Sequence, residues 1–175
     1  VYHVSEYITL LAVFMRNLAR RSGEEKITIG LFNDGRGRLK KANTIGFFTK
    51  FVYYNFYNKE ESLLQTISRV KDDIEEIRQN SGRYDVVELG QKYKDIPIVY
   101  VVFDYQKLMN NFKGEDRIWD FAYSADYGEI EYIFVLRIFD YGEQCTLKVQ
   151  YANDVYLKND IESYLEEYIG ALQEI

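Results

Sequence analysis

A run of six apolar and aromatic residues constrains the fold of this chain more than any other feature. It covers residues 98–103 and directly follows Pro97, the only proline. A strand with one solvated face alternates apolar and polar residues, whereas a strand covered on both faces is apolar at successive positions. The run therefore predicts a central strand of an α/β sheet.

Three segments have the three-and-four spacing of apolar residues that is typical of amphipathic helices. They cover residues 4–21, 60–79 and 159–173. We expect Ser5 to cap the first helix, Ser22-Gly23 to end it, and Asn159 to cap the third. The residues expected to face the core are Tyr7, Leu10, Leu11, Phe14 and Leu18, then Leu63, Leu64, Ile67, Val70, Ile74 and Ile77, and finally Ile161, Tyr164, Leu165, Tyr168, Ile169 and Leu172.

Alternating or β-branched segments predict the other strands, at residues 27–31, 47–56, 118–123, 130–139 and 145–151. Turn signals at 126–128 and 140–142 indicate an antiparallel section, and residues 106–117 have an irregular pattern. The predicted fold class is α/β: one domain over residues 1–175, in which at least three helices pack on a mixed sheet.

Composition excludes several classes of function. A net charge of −6 disfavours nucleic acid as a partner, because the phosphate backbone is also negative. No apolar run is long enough for a transmembrane span and no leader sequence is recognisable, so we expect no membrane partner. The single cysteine cannot build a disulfide framework and suits a reducing, cytoplasmic location. We expect the chain to be a piece of a longer polypeptide.

Individual reactive residues do not assemble an active site. His3 is the only histidine, and no orienting partner for a general base can be identified near it. Cys145 lies in a strand pattern and is interpreted as a small buried or half-buried residue. We therefore predict no catalytic residue and no metal site in this chain.

The segment Gly35-Arg36-Gly37-Arg38, followed by two lysines, forms a local basic patch in an acidic protein. It matches neither a P-loop nor the dinucleotide-binding fingerprint. It is either a solvated loop or a contact for a phosphopantetheine arm or an acidic carrier protein. The 17 tyrosines and 11 phenylalanines likewise allow two interpretations, an aromatic ligand surface or a core and sheet rich in aromatics, and strand propensity favours the second.

Four short motifs follow one another in a fixed order: Ile27-Thr28-Ile29-Gly30 after Ser22-Gly23; Gly35-Arg36 and Arg38 before Ile45-Gly46-Phe47-Phe48; Val101-Val102-Phe103-Asp104-Tyr105-Gln106; and Tyr151-Ala152-Asn153-Asp154-Val155-Tyr156. In this order they resemble the second, C-terminal lobe of condensation domains from nonribosomal peptide synthetases, over essentially all 175 residues. The chain departs from the family where Thr49-Lys50-Phe51 replaces Val-Asn-Thr, where Asn55 replaces an arginine, and where Asp85 replaces a proline.

The resemblance implies a lobe similar to chloramphenicol acetyltransferase, which borders a tunnel between two lobes. Two carrier-bound thioesters enter this tunnel, and the amine of one attacks the thioester of the other to form an amide. The family's His-His-x-x-x-Asp-Gly motif belongs to the first lobe and does not occur in this sequence. The chain alone is therefore expected to be inactive and to position substrates.

The same resemblance implies which partners and residues take part. The partners are the N-terminal condensation lobe and the peptidyl and aminoacyl carrier domains, which carry phosphopantetheine; this chain itself binds no cofactor. Arg36, Thr49 and Lys50 are the expected tunnel-facing residues, and the aromatic side chains of Phe47, Phe48 and Tyr53 could shape the wall. Two alternatives stay open: a related epimerisation or O-acyltransferase lobe, and a non-catalytic domain that recruits a partner protein.

Overall fold

The computed structural model describes residues 4–33, 49–80, 100–107, 132–142 and 144–175. In these ranges the chain forms three helices and five strands. In chain order they are α1 Glu6–Ser22, β1 Lys26–Asn33, β2 Lys50–Tyr57, α2 Leu63–Asn80, β3 Val101–Lys107, β4 Phe134–Asp140, β5 Cys145–Tyr151 and α3 Lys158–Gln173.

The sheet is mixed, with the strand order β2-β1-β3-β4-β5. The central pairs, β1–β3 and β3–β4, are parallel, while the outer pairs, β1–β2 and β4–β5, are antiparallel. Three successive residues of β3, Val102, Phe103 and Asp104, are buried. The prediction of a central strand covered on both faces is therefore confirmed, and so is the mixed sheet flanked by helices.

Local capping explains the bounds of α1. The Ser5 hydroxyl accepts a hydrogen bond from the backbone N–H of Ile8 at 3.4 Å and caps the helix. At the other end Gly23 has a φ of 71°, and its N–H donates to the carbonyl of Ala19 at 3.0 Å. Glycine adopts this left-handed conformation without the steric cost of a Cβ atom. Both predicted ends of this helix are confirmed.

The helices cover one face of the sheet with an aromatic core. The Phe14 ring of α1 lies 5.3 Å from Phe103 of β3 and meets Tyr164 of α3 edge-on at 6.1 Å. The Tyr168 hydroxyl donates to the carbonyl of Leu10 at 3.1 Å, which satisfies a polar atom of an otherwise buried ring. Within the described ranges, most aromatic rings thus belong to the core or pack against it, as strand and core propensity predicted.

Some helix expectations were wrong. Leu64 and Ile169 are 48% and 43% exposed, because each lies at the border of the apolar stripe of its helix. Asn159 does not cap α3, since the helix already begins at Lys158, with Leu157 as an N-cap that makes no side-chain hydrogen bond.

Strand bounds differ because pairing extends strands beyond their apolar residues. Gln106, expected to begin an irregular segment, is still paired with Phe139, and the β3–β4 ladder ends only at Lys107 and Asp140. Cys145 is exposed rather than buried, because it opens the edge strand β5. The strand predicted at 118–123, the turn predicted at 126–128 and the starts of the strands predicted at 47–56 and 130–139 lie outside the described residues.

A polar cluster ties α1 to the ends of β3 and β4. Asp140 accepts hydrogen bonds from the Tyr105 hydroxyl at 2.5 Å and from the Gly142 N–H at 2.7 Å. Lys107 contacts both Asp140, at 3.5 Å, and Glu6, at 3.1 Å. The hydrogen bond from Tyr105, then that from Gly142, and the charge of Lys107 lower the pKa of Asp140 below its ordinary value.

This cluster predicts a pH-dependent contribution to stability. A lowered pKa in the folded state means that the Asp140 carboxylate stabilises the fold above the unfolded pKa of about 3.9. This contribution is lost as the pH falls through the folded pKa. Urea unfolding between about pH 2 and pH 6 should show that Asp140→Asn lowers stability most at the upper end and least at the lower end. The exposed Asp154→Asn serves as the control, and a penalty for Asp140→Asn that is equal at every pH would contradict the prediction.

Candidate functional site

The sheet has a second face, on the side opposite to the core. The register aligns Tyr53, Gly30, Val102, Val135 and Gln150 across all five strands. Because side chains alternate along a strand, these residues point away from the three described helices. Val102 and Val135 are buried, yet neither belongs to the core cluster beneath the helices. We call this side of the sheet the second face.

The β1–β2 half of the second face is aromatic. The Phe51 ring lies directly over Gly30, where a Cβ atom would come within 3 Å of three ring carbons. Three further rings surround Phe51: Phe32 at 5.4 Å and Tyr53 at 5.7 Å, both edge-on, and Tyr132 stacked at 5.9 Å with an interplanar angle of 13°. We call these four rings the Phe51 cluster. Its Phe32 ring is 40% exposed, so the cluster presents apolar surface.

The centre of the second face carries an ion pair. Arg137 of β4 donates through Nε to Asp104 Oδ2 at 2.8 Å, and the Gln106 amide donates to the same oxygen at 3.0 Å. Arg137 Nη1 also donates to Gln150 Oε1 at 3.2 Å. Only 16% of the Arg137 side chain and 9% of the Asp104 side chain are exposed. Charges at such depth are tolerated because they are paired, and the pair leaves the centre of this face without net charge.

The described residues offer binding groups rather than reactive ones. Within them, no group of three or more His, Cys, Asp or Glu side chains is arranged to hold a metal ion. Burial raises the pKa of Tyr54 and Tyr168 above the ordinary value, so both hydroxyls stay protonated at neutral pH. Partial desolvation of the otherwise exposed Cys145 thiol, and then the negative charge of Asp140, raise its pKa, which opposes thiolate formation.

A cavity of about 730 Å³ lies beside the carboxyl end of β1, between the first turn of α1 and the second half of α2. Leu31 and Ile74 contribute apolar wall, and Lys71 and Asp72 contribute charge. Asn33 also lines it and is the register partner of Lys50. This cavity is a concave surface close to Lys50, one of the residues predicted from the sequence to contact a substrate.

The predicted tunnel residues are only partly described. Arg36 lies outside the described residues, as do Phe47, Phe48 and His3. Thr49 directly precedes β2 and is exposed, and Lys50 opens β2, also exposed. Side chains alternate between the two faces along a strand, so Lys50 points to the same face as Val52, which is the face covered by the helices. Tyr53 lies on the second face, half-buried, so the structure does not bring Lys50 and Tyr53 together on one face.

Sequence reasoning missed the most distinctive side chains of the second face: Phe51 as the centre of a ring cluster, and the network of Asp104, Arg137, Gln106 and Gln150. One signal for the network was available. Asp104 follows directly on an apolar run, and a carboxylate in a strand buried on both faces requires a cationic or hydrogen-bonding partner. The identity of that partner depends on the pairing of β3 with β4, which no local pattern reveals.

The close approach of Phe51 to Gly30 predicts an energetic coupling. Gly30→Ala should destabilise the fold by about 1–3 kcal/mol, because the added methyl group forces the Phe51 ring out of its position. In a Phe51→Ala background the same substitution should cost much less. Urea unfolding of both single variants and the double variant measures the coupling. Equal penalties for Gly30→Ala in the two backgrounds would show that the ring does not rest on this glycine.

In the described part of the chain, no helix combines the length and the apolar character needed to cross a bilayer.

Known structures share this fold. The condensation domain of a polyketide synthase for monacolin K superposes with a TM-score of 0.71 at 22% identity, over 93% of this chain and 39% of that one. The epimerization domain from the third module of tyrocidine synthetase B superposes with a TM-score of 0.74 at 17% identity, over 97% of this chain and 41% of that one. The first condensation domain of the calcium-dependent antibiotic synthetase was solved with a substrate analogue. It superposes with a TM-score of 0.67 at 13% identity, over 93% of this chain and 36% of that one.

The chain thus spans about two fifths of the length of these structures. A search of curated protein sequences finds no match. The family model for condensation domains, in contrast, matches residues 1–175, the whole length of the chain. The chain therefore belongs to the condensation domain family.

Proposed function

We propose that this chain is the second lobe of a condensation domain in a nonribosomal peptide synthetase. In this proposal its second face forms one wall of a tunnel, where a carrier-bound acyl or peptidyl thioester is joined to a carrier-bound amine. The observation that carries the proposal is the second face itself. In a chain that matches the condensation family throughout, this face combines a partly exposed aromatic cluster with a neutralised ion pair.

The reaction in this proposal forms a C–N bond and breaks a C–S bond. The amine nitrogen attacks the thioester carbonyl carbon, the carrier thiol leaves, and the proton lost by nitrogen goes to the sulphur. In this proposal the proton-transferring group is supplied by the His-His-x-x-x-Asp-Gly motif that the family carries in its first lobe. The contribution of this lobe is orientation, since holding both reactants in place replaces a bimolecular encounter.

The proposed partners are the N-terminal lobe and the peptidyl and aminoacyl carrier domains. Each carrier brings its substrate on a phosphopantetheine arm, and this lobe binds no cofactor of its own. One of the similar structures comes from a synthetase that makes an antibiotic and was solved with a substrate analogue, which supports a substrate-binding role. Arg36, Thr49 and Lys50 remain proposed contacts of the tunnel. Lys50 is oriented toward the helix side, so in this proposal it meets the substrate at the rim of the sheet, beside the cavity lined by Asn33, rather than on the second face.

An epimerisation lobe is the second candidate. It is favoured by the similarity to the epimerization domain of tyrocidine synthetase B, which has the highest TM-score of the three structures compared above. Such a reaction inverts the α-carbon of a carrier-bound residue and joins nothing.

The complete protein, including the lobe that precedes this chain, distinguishes these functions. Incubated with a loaded donor carrier and an aminoacyl carrier, it should release a free donor thiol and form an amide that mass spectrometry detects. Exchange of the α-hydrogen with deuterated solvent, without amide, would instead identify epimerisation. Product with an alcohol acceptor alone would identify an O-acyltransferase, and no conversion of any pair would indicate a recruiting domain.

Lys50→Ala in the complete protein should slow amide formation by about tenfold, the effect of losing one charge-assisted hydrogen bond to a bound substrate. The thermal midpoint should stay unchanged, because Lys50 is exposed. Lys59→Ala is the matched control, since this lysine is also exposed and lies just after the end of the same strand. An unchanged transfer rate in Lys50→Ala would remove this residue from the tunnel.

A further inference from the structure

The Phe51 ring is held in one position by its surroundings. Its lower side rests on the backbone of Gly30, and its neighbours Phe32, Tyr53 and Tyr132 restrict it laterally. A ring that is fixed before a ligand arrives loses little conformational entropy on binding. Phe51 is therefore a preorganised element of the second face rather than a mobile side chain.

The surroundings of Phe51 favour apolar ligands. Phe32 is the register partner of Phe51, and 40% of its surface is exposed to solvent. The nearest charges on the central strands, Asp104 and Arg137, are paired with each other. Among the described residues of the central strands, a charged ligand group placed here would lose its hydration without gaining a counter-ion, whereas a flat apolar group would cover exposed ring surface.

We propose that the Phe51 cluster selects an apolar side chain, aromatic above all, on the acyl or aminoacyl group that lies against this wall. The inference rests on the proposed function, because it takes the second face as a substrate wall. It assigns to that wall a substrate class: carrier-bound residues with phenyl-like side chains bind, and acidic ones are disfavoured.

Binding without turnover tests the inference. The probes are phenylalanyl and aspartyl amides of aminopantetheine, in which nitrogen replaces the thioester sulphur so that no transfer occurs. Isothermal titration calorimetry of the complete protein should give at least tenfold tighter binding of the phenylalanyl probe, as one aromatic contact and its buried area provide. Phe51→Thr, which removes the ring but keeps a residue suited to strands, should reduce this ratio to about two.

Two further variants make the test independent of folding. Tyr57→Thr removes an aromatic ring of the same orientation at the far end of β2, about 20 Å away, and should leave the ratio unchanged. Phe32→Thr removes the exposed ring of the cluster and should lower the ratio about threefold, which gives a second reading if Phe51→Thr does not fold.

Each outcome decides the inference. A wild-type protein that binds both probes equally, or neither, overturns it, and so does a ratio that survives in folded Phe51→Thr and Phe32→Thr. The amide assay described above is a separate measurement. If the complete protein forms no amide but binds the phenylalanyl probe selectively through Phe51, the proposed reaction fails while the ligand class of this face stands.

Discussion

The burial of β3 on both faces is the constraint on which the rest of this structure depends. Its Phe103 side packs under Phe14 of α1, and its Val102 and Asp104 side forms the centre of the second face. Parallel pairing on both edges connects it to β1 and β4. Its buried residues Val102, Phe103 and Asp104 have almost no solvated surface, so every polar atom that they carry requires a partner within the protein.

Asp104 shows how this constraint produces a site. Its carboxylate can be kept in the middle of the sheet because Arg137 of the neighbouring strand supplies a guanidinium at 2.8 Å. The pairing cancels the charge at the centre of the second face, and the adjacent β1–β2 half is left to aromatic rings. The neutral ion pair at the centre of this face thus follows from the need to satisfy one buried acid.

Gly30 has the corresponding role in the aromatic half. A strand residue without a side chain normally weakens a sheet, because it leaves a gap on the surface. Here the Phe51 ring occupies that gap, and the stack with Tyr132 connects β2 with the residues just before β4. One small residue therefore allows a large ring from the neighbouring strand to lie over its backbone.

Much of the fold was predictable from local patterns. Periodicity identified α1, α2 and α3, the capping residues of α1 fixed its ends, and the apolar run located the central strand. The order of short motifs identified the family, which the family model confirms. The predictions for the length of β3 and for the cap of α3 were wrong, because both features depend on pairing and packing rather than on local preference.

The candidate site was less predictable. Arg36, Thr49 and Lys50 were predicted from the resemblance to the family, yet Lys50 lies on the helix side of β2. By itself, the sequence determined which segments are helix or strand and that the chain contains a single histidine, His3. Only the tertiary structure decided that Phe51 meets Gly30 and that Asp104 meets Arg137, because the register between strands distant in sequence brings each pair together.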